Sequence, residues 1–506
     1  MTRLIEALQT SLSKLATPIV YDHGQWMGTE LLLEDVRETV RKLKKTGVVR
    51  GSRVVIALPN SYEFVVNYLA LLLSGSVAVP MNPELPVSEA QQVVARVQPA
   101  LVISRTGVWE QALARGHFVH CETDPKAPEI RWCIPLDVQE VHAKLPIQEE
   151  SPAILMYTSG TTGQPKGVLL THGHLWAAVN NVIDSHQLTA MDTAYCFLPL
   201  FHINAQVIVL LSTLVSGGKL VMQERFSARS FWSSIRRHKV TWVSAVPTIL
   251  SIVVKGASEK PLQTRFGTYP PAKSLRFIRT ASAPLSPVLA AQFEQRFGVP
   301  VIESYGMTEA AGQICINPLP PRTRKTGFVG LPCGVQLRIL DDDYQELPNG
   351  VTGQIAIRGK NVISHYVDVS NKSAGFHNDW LLTGDLGEFD EDGYLKITGR
   401  KKELINRAGE KISPREVEDV LNGHPRVQLA AVVGEPDAIY GEIVVAYVVP
   451  QEDRGHNGDW LVKELMAYCE KHLAKPKRPA QIRVIQELPV GATGKVQKHR
   501  LQHIGR

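Results

Sequence analysis

Short runs rich in Val, Ile and Leu take turns with longer stretches of helical periodicity through the first 400 residues, and this alternation limits the fold more than anything else. The runs include "SRVVIALP", "PALVIS", "SPAILMYTS", "TWVSAVP" and "SLRFIRTAS"; the helical stretches include "SYEFVVNYLALLLSG" and "PVSEAQQVVARVQ". A strand that is apolar throughout is buried on both faces, and a helix between two such strands returns the chain to the same edge. The pattern therefore predicts an α/β architecture with largely parallel sheets. A length of 506 residues leaves room for two to four domains.

From residue 325 on, the pattern changes. "GVQLRILDDDYQELPNGVTGQIAIRG" and "FDEDGYLKITGR" alternate apolar and polar residues, with tight turns at Pro348-Asn349-Gly350 and Asp392-Gly393, and predict a small sheet of β-hairpins. After "SPREVEDVLNGHPRVQLAAVVGEPD" helix and strand alternate again. The expected division is a core over 1–400 and a smaller α+β domain over 401–506, with the boundary between Gly399 and Lys402. "MTRLIEALQTSLSKLAT" at the N-terminus has apolar positions at helical spacing, interrupted by charges. It reads as an amphipathic helix, not a signal peptide.

A net charge of +6 is too mild to argue for nucleic acid, and the apolar runs near Tyr68–Val79 and Val207–Val215 are too short to cross a bilayer. Residues 459–506 hold ten Lys or Arg against four Asp or Glu, which suits either a solvated surface or a docking face for a polyanion. The six cysteines are scattered, with no C-x-x-C pair, so neither a zinc knuckle nor a disulfide framework is expected, and a reducing, cytoplasmic setting fits.

"YTSGTTGQPKGVLLTH", Tyr157 to His172, cannot bury an apolar face. Its glycines let backbone N–H groups approach an anion closely, Thr158, Ser159, Thr161 and Thr162 add hydroxyls, and Lys166 adds a point charge: the makings of a phosphate loop. Gly167 follows Lys166 where a Walker loop has Ser or Thr, so a magnesium ligand must come from elsewhere. "ESYGMTEAAG" offers one: Tyr305 has a flat face for a base, Thr308 a hydroxyl and Glu309 a hard oxygen. Asp385, in the glycine-flanked turn of "TGDLG", has two oxygens that suit two ribose hydroxyls. In "ISPREVE", Ser413 reads as a helix N-cap with Pro414 at the first helical position and Glu416 two residues later. In "GATGKVQKHRL", Lys495 stands in a small-residue turn where a lysine is ordinarily only solvated.

Together these segments resemble the adenylate-forming enzymes: acyl-CoA synthetases, the adenylation domains of peptide synthetases, and luciferases. "YTSGTTGQPKGVLLTH", "YGMTE", "TGDLG", "GRKKELINRAGEKISPREVE" and "ATGKVQ" stand in that family's order and spacing from residue 30 to the end. The resemblance implies a large mixed α/β N-terminal domain with a small β subdomain, and a mobile C-terminal lid. It implies that Thr158, Ser159, Gly160, Thr161, Thr162, Gly163 and Lys166 hold the β- and γ-phosphates of ATP. Tyr305 would stack on adenine beside Ser282, Ala283 and Pro284, within the nucleotide-binding stretch Glu303, Ser304, Tyr305 and Gly306. Thr308 and Glu309 would serve the α-phosphate and Mg2+, with Thr158 as a further metal ligand. Asp385 would bind the ribose, Arg400 the ribose and phosphate, and Lys402 would be the hinge. Lys495 would meet the substrate carboxylate and α-phosphate, and the Gly409 loop would swing in to form the thiol tunnel. At Val490 and Gly491 the chain departs from the family, which usually has a basic residue or threonine there.

The implied reaction is ATP-dependent activation of a carboxylic acid to an acyl-adenylate, then transfer to the thiol of CoA. Loading of a carrier-protein pantetheine arm is the alternative, and a nucleotide-binding homologue without activity is a third reading. Both reactants of the first step are anions, so much of the barrier is charge repulsion. A preorganised cation between them is worth roughly 3–4 kcal/mol. "PLFHINAQ" places His202 at the mouth of the acyl pocket, resembling the carnitine and crotonobetaine CoA ligases. "NPLPPRTRKTGFVG" resembles the oxalate–CoA ligases. A small or medium acid is expected, with no nucleic-acid partner.

Overall fold

The computed structural model describes residues 1–13, 18–105, 108–114, 118–124, 126–135, 146–158, 166–256, 263–264, 267–268, 273–367, 374–451, 458–490 and 496–501. Among these, the N-terminal part is built on two large mixed sheets. One has seven strands, with Arg53–Ala57, Val77–Pro80, Leu101–Arg105 and Pro152–Thr158 parallel at its centre and antiparallel strands at both edges. The other has nine, and its parallel centre includes Lys219–Met222, Thr193–Cys196, Trp242–Ala245, Phe277–Thr280 and Val301–Tyr305. Successive residues of the central strands enter different cores: Trp242 and Phe277 pack on one side, Val243 and Ile278 on the other. Double-sided burial is why these runs are apolar without alternation.

A third, antiparallel sheet holds Val335–Leu340, Gly353–Gly359, Trp380–Phe389 and Leu395–Arg400, and the expected hairpin turns carry left-handed Gly350 and Gly393. A last sheet, built around Val427–Asp437 and Gly441–Pro450, is covered by Pro414–Asn422 and Gly458–His472 and has its own cores. The changeover lies between Arg400, which ends a strand of the third sheet, and Ile405, which opens one of the last. The N-terminal helix runs over Arg3–Ser13 and buries Leu4, Ile5, Leu8 and Leu12. No helix among the described residues is long and apolar enough to cross a membrane.

Three local expectations are corrected. Cys121 and Cys133 form a disulfide, because a hairpin sets them opposite each other in register, a pairing that spacing alone does not reveal. Such a bond does not by itself point to a reducing compartment. Ser413 occupies the N-cap position, but its hydroxyl donates to the Thr398 carbonyl at 2.6 Å and caps nothing. The helix start is thereby stitched to the preceding sheet. Asp385 lies not in a turn but within the strand Trp380–Phe389, just after left-handed Gly384 and beside a shift of register.

Candidate active site

The parallel strands of the nine-stranded sheet end along one edge, where open α/β sheets place their ligand sites. Thr193–Cys196 runs on to His202, Phe277–Thr280 to Ala281–Pro284, and Val301–Tyr305 to Gly306 and a single 3-10 turn over Thr308–Ala310. Ser282 leaves the strand with φ of 75°, a conformation that costs a non-glycine residue energy and turns the small segment sharply. Gly306 is forced: a Cβ there would stand 1.6 Å from the Gly312 carbonyl oxygen. That crossing lets Tyr305 and Glu309 project from a tightly folded link.

Glu309 is 6% exposed and has gathered a cluster. The Tyr366 hydroxyl donates to its Oε1 at 3.0 Å and the Thr158 hydroxyl at 3.5 Å. The Lys166 ammonium lies 4.8 Å from the centre of the Tyr366 ring. Burial pushes the Glu309 carboxyl up. Its own backbone N–H, the two hydroxyls and the Lys166 charge pull against burial without cancelling it. Thr158 and Lys166 pair across an antiparallel register, so both ends of the expected phosphate loop are pinned here. Ser159, Gly160, Thr161, Thr162 and Gly163 lie outside the described residues.

Tyr366 carries no sequence signal. The stretch around it is tied down by backbone and amide bonds: Val367 N–H to the Gly167 carbonyl, Ile363 N–H to the Glu309 carbonyl, and the Asn361 amide to the Ala310 carbonyl, at 2.9, 2.9 and 2.8 Å. A loop with no recognisable pattern is thus locked onto two motifs at once.

A second group forms around Asp385. The Tyr305 hydroxyl donates to Oδ2 at 2.6 Å and Arg400 Nε to Oδ1 at 2.9 Å. Burial, then the Asp385 charge, push the Tyr305 hydroxyl well up, so it stays a donor. Arg400 also reaches Glu403 at 3.9 Å, and Lys498 bonds Glu403 at 3.2 Å and Glu418 at 2.7 Å. A chain of alternating charges therefore runs from Asp385 to Lys498, three residues beyond Lys495. Lys495 itself lies outside the described residues.

The other expected site residues within the described part have the following surroundings. Ser304 donates to the Thr280 carbonyl at 2.8 Å. Glu303 is buried; burial pushes its carboxyl up to about 7 against the Arg415 charge and the Leu285 N–H, and Asp419 adds to the rise. Both side chains make contacts within the scaffold. Lys402 is exposed on the 3-10 turn Lys401–Glu403. Gly409 tops an exposed hairpin turn, with open space where a Cβ would stand. Thr308 is half-buried, beside Glu309. The His202 N–H donates to the Pro199 carbonyl at 3.0 Å, and its ring packs 4.4 Å from that of Phe201.

Among the described residues no group of three or more His, Cys, Asp or Glu could enclose a metal. One buried carboxylate with a hydroxyl beside it is what Mg2+ uses when phosphate supplies its other oxygens, so Glu309 and Thr158 fit that ion.

Residues 9–367 match the AMP-binding enzyme family and residues 416–495 the AMP-binding enzyme C-terminal domain. The chain belongs to the AMP-binding enzyme family. Within this family it is 38% identical over 490 residues to a sulfoacetate–CoA ligase of Cupriavidus necator, covering 95% of this chain and 93% of that protein. It is 37% identical over 492 residues to an oxalate–CoA ligase of Arabidopsis thaliana, covering 94% and 93%. Its fold superposes on ATP-bound MatB from Rhodopseudomonas palustris with a TM-score of 0.85 at 27% identity, covering 99% and 98%. For o-succinylbenzoate coenzyme A synthetase of Bacillus subtilis, in complex with ATP and magnesium ion, the TM-score is 0.82 at 29% identity, covering 98% and 99%. The expected fold, a mixed α/β body with a C-terminal domain, is met, as is the expected activity, an ATP-using acid–thiol ligase that works through an acyl-adenylate.

Proposed function

We propose that the chain converts a short carboxylic acid to its CoA thioester in one site, with the core at 1–400, a lid at 401–506 and the hinge near Lys402. The observation that carries this reading is the link Tyr305–Glu309, which projects one group toward Thr158, Lys166 and Tyr366 and another toward Asp385 and Arg400. A phosphate-sized and a ribose-sized recognition group a few residues apart suit a nucleotide lying across the sheet edge. Sulfoacetate and oxalate, the acids named for two relatives, are both short and both carry a second anionic group, which favours a small, polar acid here.

In the first step a carboxylate oxygen attacks the α-phosphorus of ATP, and the bond to pyrophosphate breaks. Thr158 to Gly163 and Lys166 hold the β- and γ-phosphates, and Thr308 the α-phosphate. Glu309 and Thr158 would hold Mg2+, which when bound screens the phosphate charge. Tyr305 and the small stretch Ser282–Pro284 receive the base, while Asp385, oriented by Arg400, accepts from the ribose hydroxyls. Lys495 lies between carboxylate and phosphate and neutralises the encounter. In the second step the CoA sulfur attacks the acyl carbon and AMP leaves. Lys495 must withdraw first, which is why it belongs on a moving lid, with Gly409 entering as it goes and His202 lining the acyl end. ATP and CoA are both at hand in the cytoplasm, the compartment that fits.

Acid-dependent exchange of labelled pyrophosphate into ATP tests the first step, and mass detection of the acyl-CoA tests the second. Exchange with no acid at all would end the ligase reading. Exchange followed by thioester formation on a carrier protein alone would replace CoA as the acceptor.

A further inference from the structure

Burying a cation with no anion beside it is costly, and replacing it by an apolar side chain would ordinarily stabilise a protein. Arg279, on the strand Phe277–Thr280, is 1% exposed. Its Nη1 donates to Ser244 Oγ at 3.1 Å, and Ser244 in turn donates to Asn204 Oδ1 at 2.9 Å. Its Nε has no partner, and no carboxylate pairs with it among the described residues. Burial pulls its guanidinium down to about 9, which leaves it cationic at neutral pH. His186, buried nearby, is held neutral by burial and by this arginine.

The position is telling. Arg279 precedes Thr280, the last residue of its strand, and Ser282 and Ala283 follow at the sheet edge. Ser244 is one residue from the end of the adjacent parallel strand Trp242–Ala245. Asn204 opens a π-helical stretch, Asn204–Leu211, two residues after His202. Widened helical turns of this kind are rare and gather at functional sites. The guanidinium is therefore held by Ser244 with no carboxylate of its own among the described residues, one residue before the end of a strand that leads into Ser282 and Ala283.

We propose that Arg279, held in place by Ser244 and Asn204, receives a second anionic group on the acid substrate and makes the enzyme selective for short acids with two negative ends. The inference rests on the ligase reading above and deepens it. One carboxylate faces the α-phosphorus, and the other anion, carboxylate or sulfonate, faces Arg279. Without that counter-charge a dianion would meet both the repulsion of the triphosphate and the cost of a dry pocket. An acid with a neutral tail leaves the guanidinium unpaired and is rejected for the same reason that truncating one partner of a buried pair is expensive.

The test compares kcat/KM for pyrophosphate exchange with a short dicarboxylic acid and a short sulfonated acid, each against its monoanionic isostere. The wild type should prefer the dianion in at least one pair, and the pair shows which anion is taken. Arg279→Met should lower that preference by roughly 100-fold, mostly through KM, and Arg279→Lys should restore part of it. If Arg279→Met does not fold, as judged by its melting curve, the wild-type preference and a smaller loss of it in Ser244→Ala decide. A wild type that prefers the monoanions, or an Arg279→Met protein with an unchanged ratio, overturns the proposal while leaving the ligase reading intact. Exchange with no acid of either kind sinks both.

Discussion

Glu309 and Asp385 are both buried carboxylates at one sheet edge, yet their surroundings differ. Asp385 is matched: Arg400 bonds one oxygen and Tyr305 the other. Glu309 meets hydroxyls on one oxygen, and its nearest cation, Lys166, lies over the Tyr366 ring and does not bond the carboxylate. A matched carboxylate is a fixed acceptor whose geometry is set before ligand arrives. An unmatched one is strained toward its neutral form and gains most from an incoming cation. The contrast supports the proposed division of labour, orientation for Asp385 and charge management for Glu309.

If the contrast is right, Glu309→Gln has the largest effect. Acid-dependent pyrophosphate exchange should fall by about 10²–10³, and the Mg2+ concentration for half-maximal rate should rise. Equal loss at every Mg2+ concentration would break the assignment. Asp385→Asn comes next: losing charge-assisted bonds should lower kcat/KM for ATP by roughly 10–100-fold, chiefly through KM, with no shift in the Mg2+ dependence. Tyr366→Phe should cost about tenfold or less, in the same direction as Glu309→Gln, because one hydroxyl donor to the same oxygen is removed.

Glu303 gives the smallest and sharpest check, since it is a third buried carboxyl on the same strand as Tyr305 but outside the nucleotide groups. Its folded carboxyl sits at about 7, above the ordinary 4.5. A raised carboxyl favours folding below its unfolded value, and that contribution is lost as pH rises from 4.5 to about 7. Thermal denaturation should therefore show wild type losing stability across this window relative to Glu303→Gln, on the order of 2–4 °C. Parallel curves for the two proteins would mean that the carboxyl is not held protonated.

The alternating apolar runs, the two hairpin turns and the motifs bearing Thr158, Lys166, Tyr305 and Glu309 were legible because each follows from neighbours in sequence: period, turn chemistry, or a cluster of small residues. Asp385 stood out too, but as a turn residue where the fold makes a strand. What escaped depends on contacts between distant segments. Tyr366 reaches Glu309 from 57 residues away on a loop with no pattern. Arg279 reads as one polar interruption in a strand, and only packing shows that no carboxylate among the described residues pairs with it. Cys121 and Cys133 are 12 residues apart and meet because of hairpin register. Ser413 had the right spacing for a cap, but its hydroxyl bonds the Thr398 carbonyl instead. Glu303 and Ser304 share a motif with Tyr305, yet their side chains serve the scaffold.

The contact between Gly306 and the Gly312 carbonyl has an evolutionary corollary. No single substitution at 306 can be absorbed by a rotamer change, since the obstacle is backbone. On the proposed reading, a lineage descended from this protein could retune its choice of acid by exchanging the side chain at 279, while the knot that carries Tyr305 and Glu309 offers selection no stepping stones.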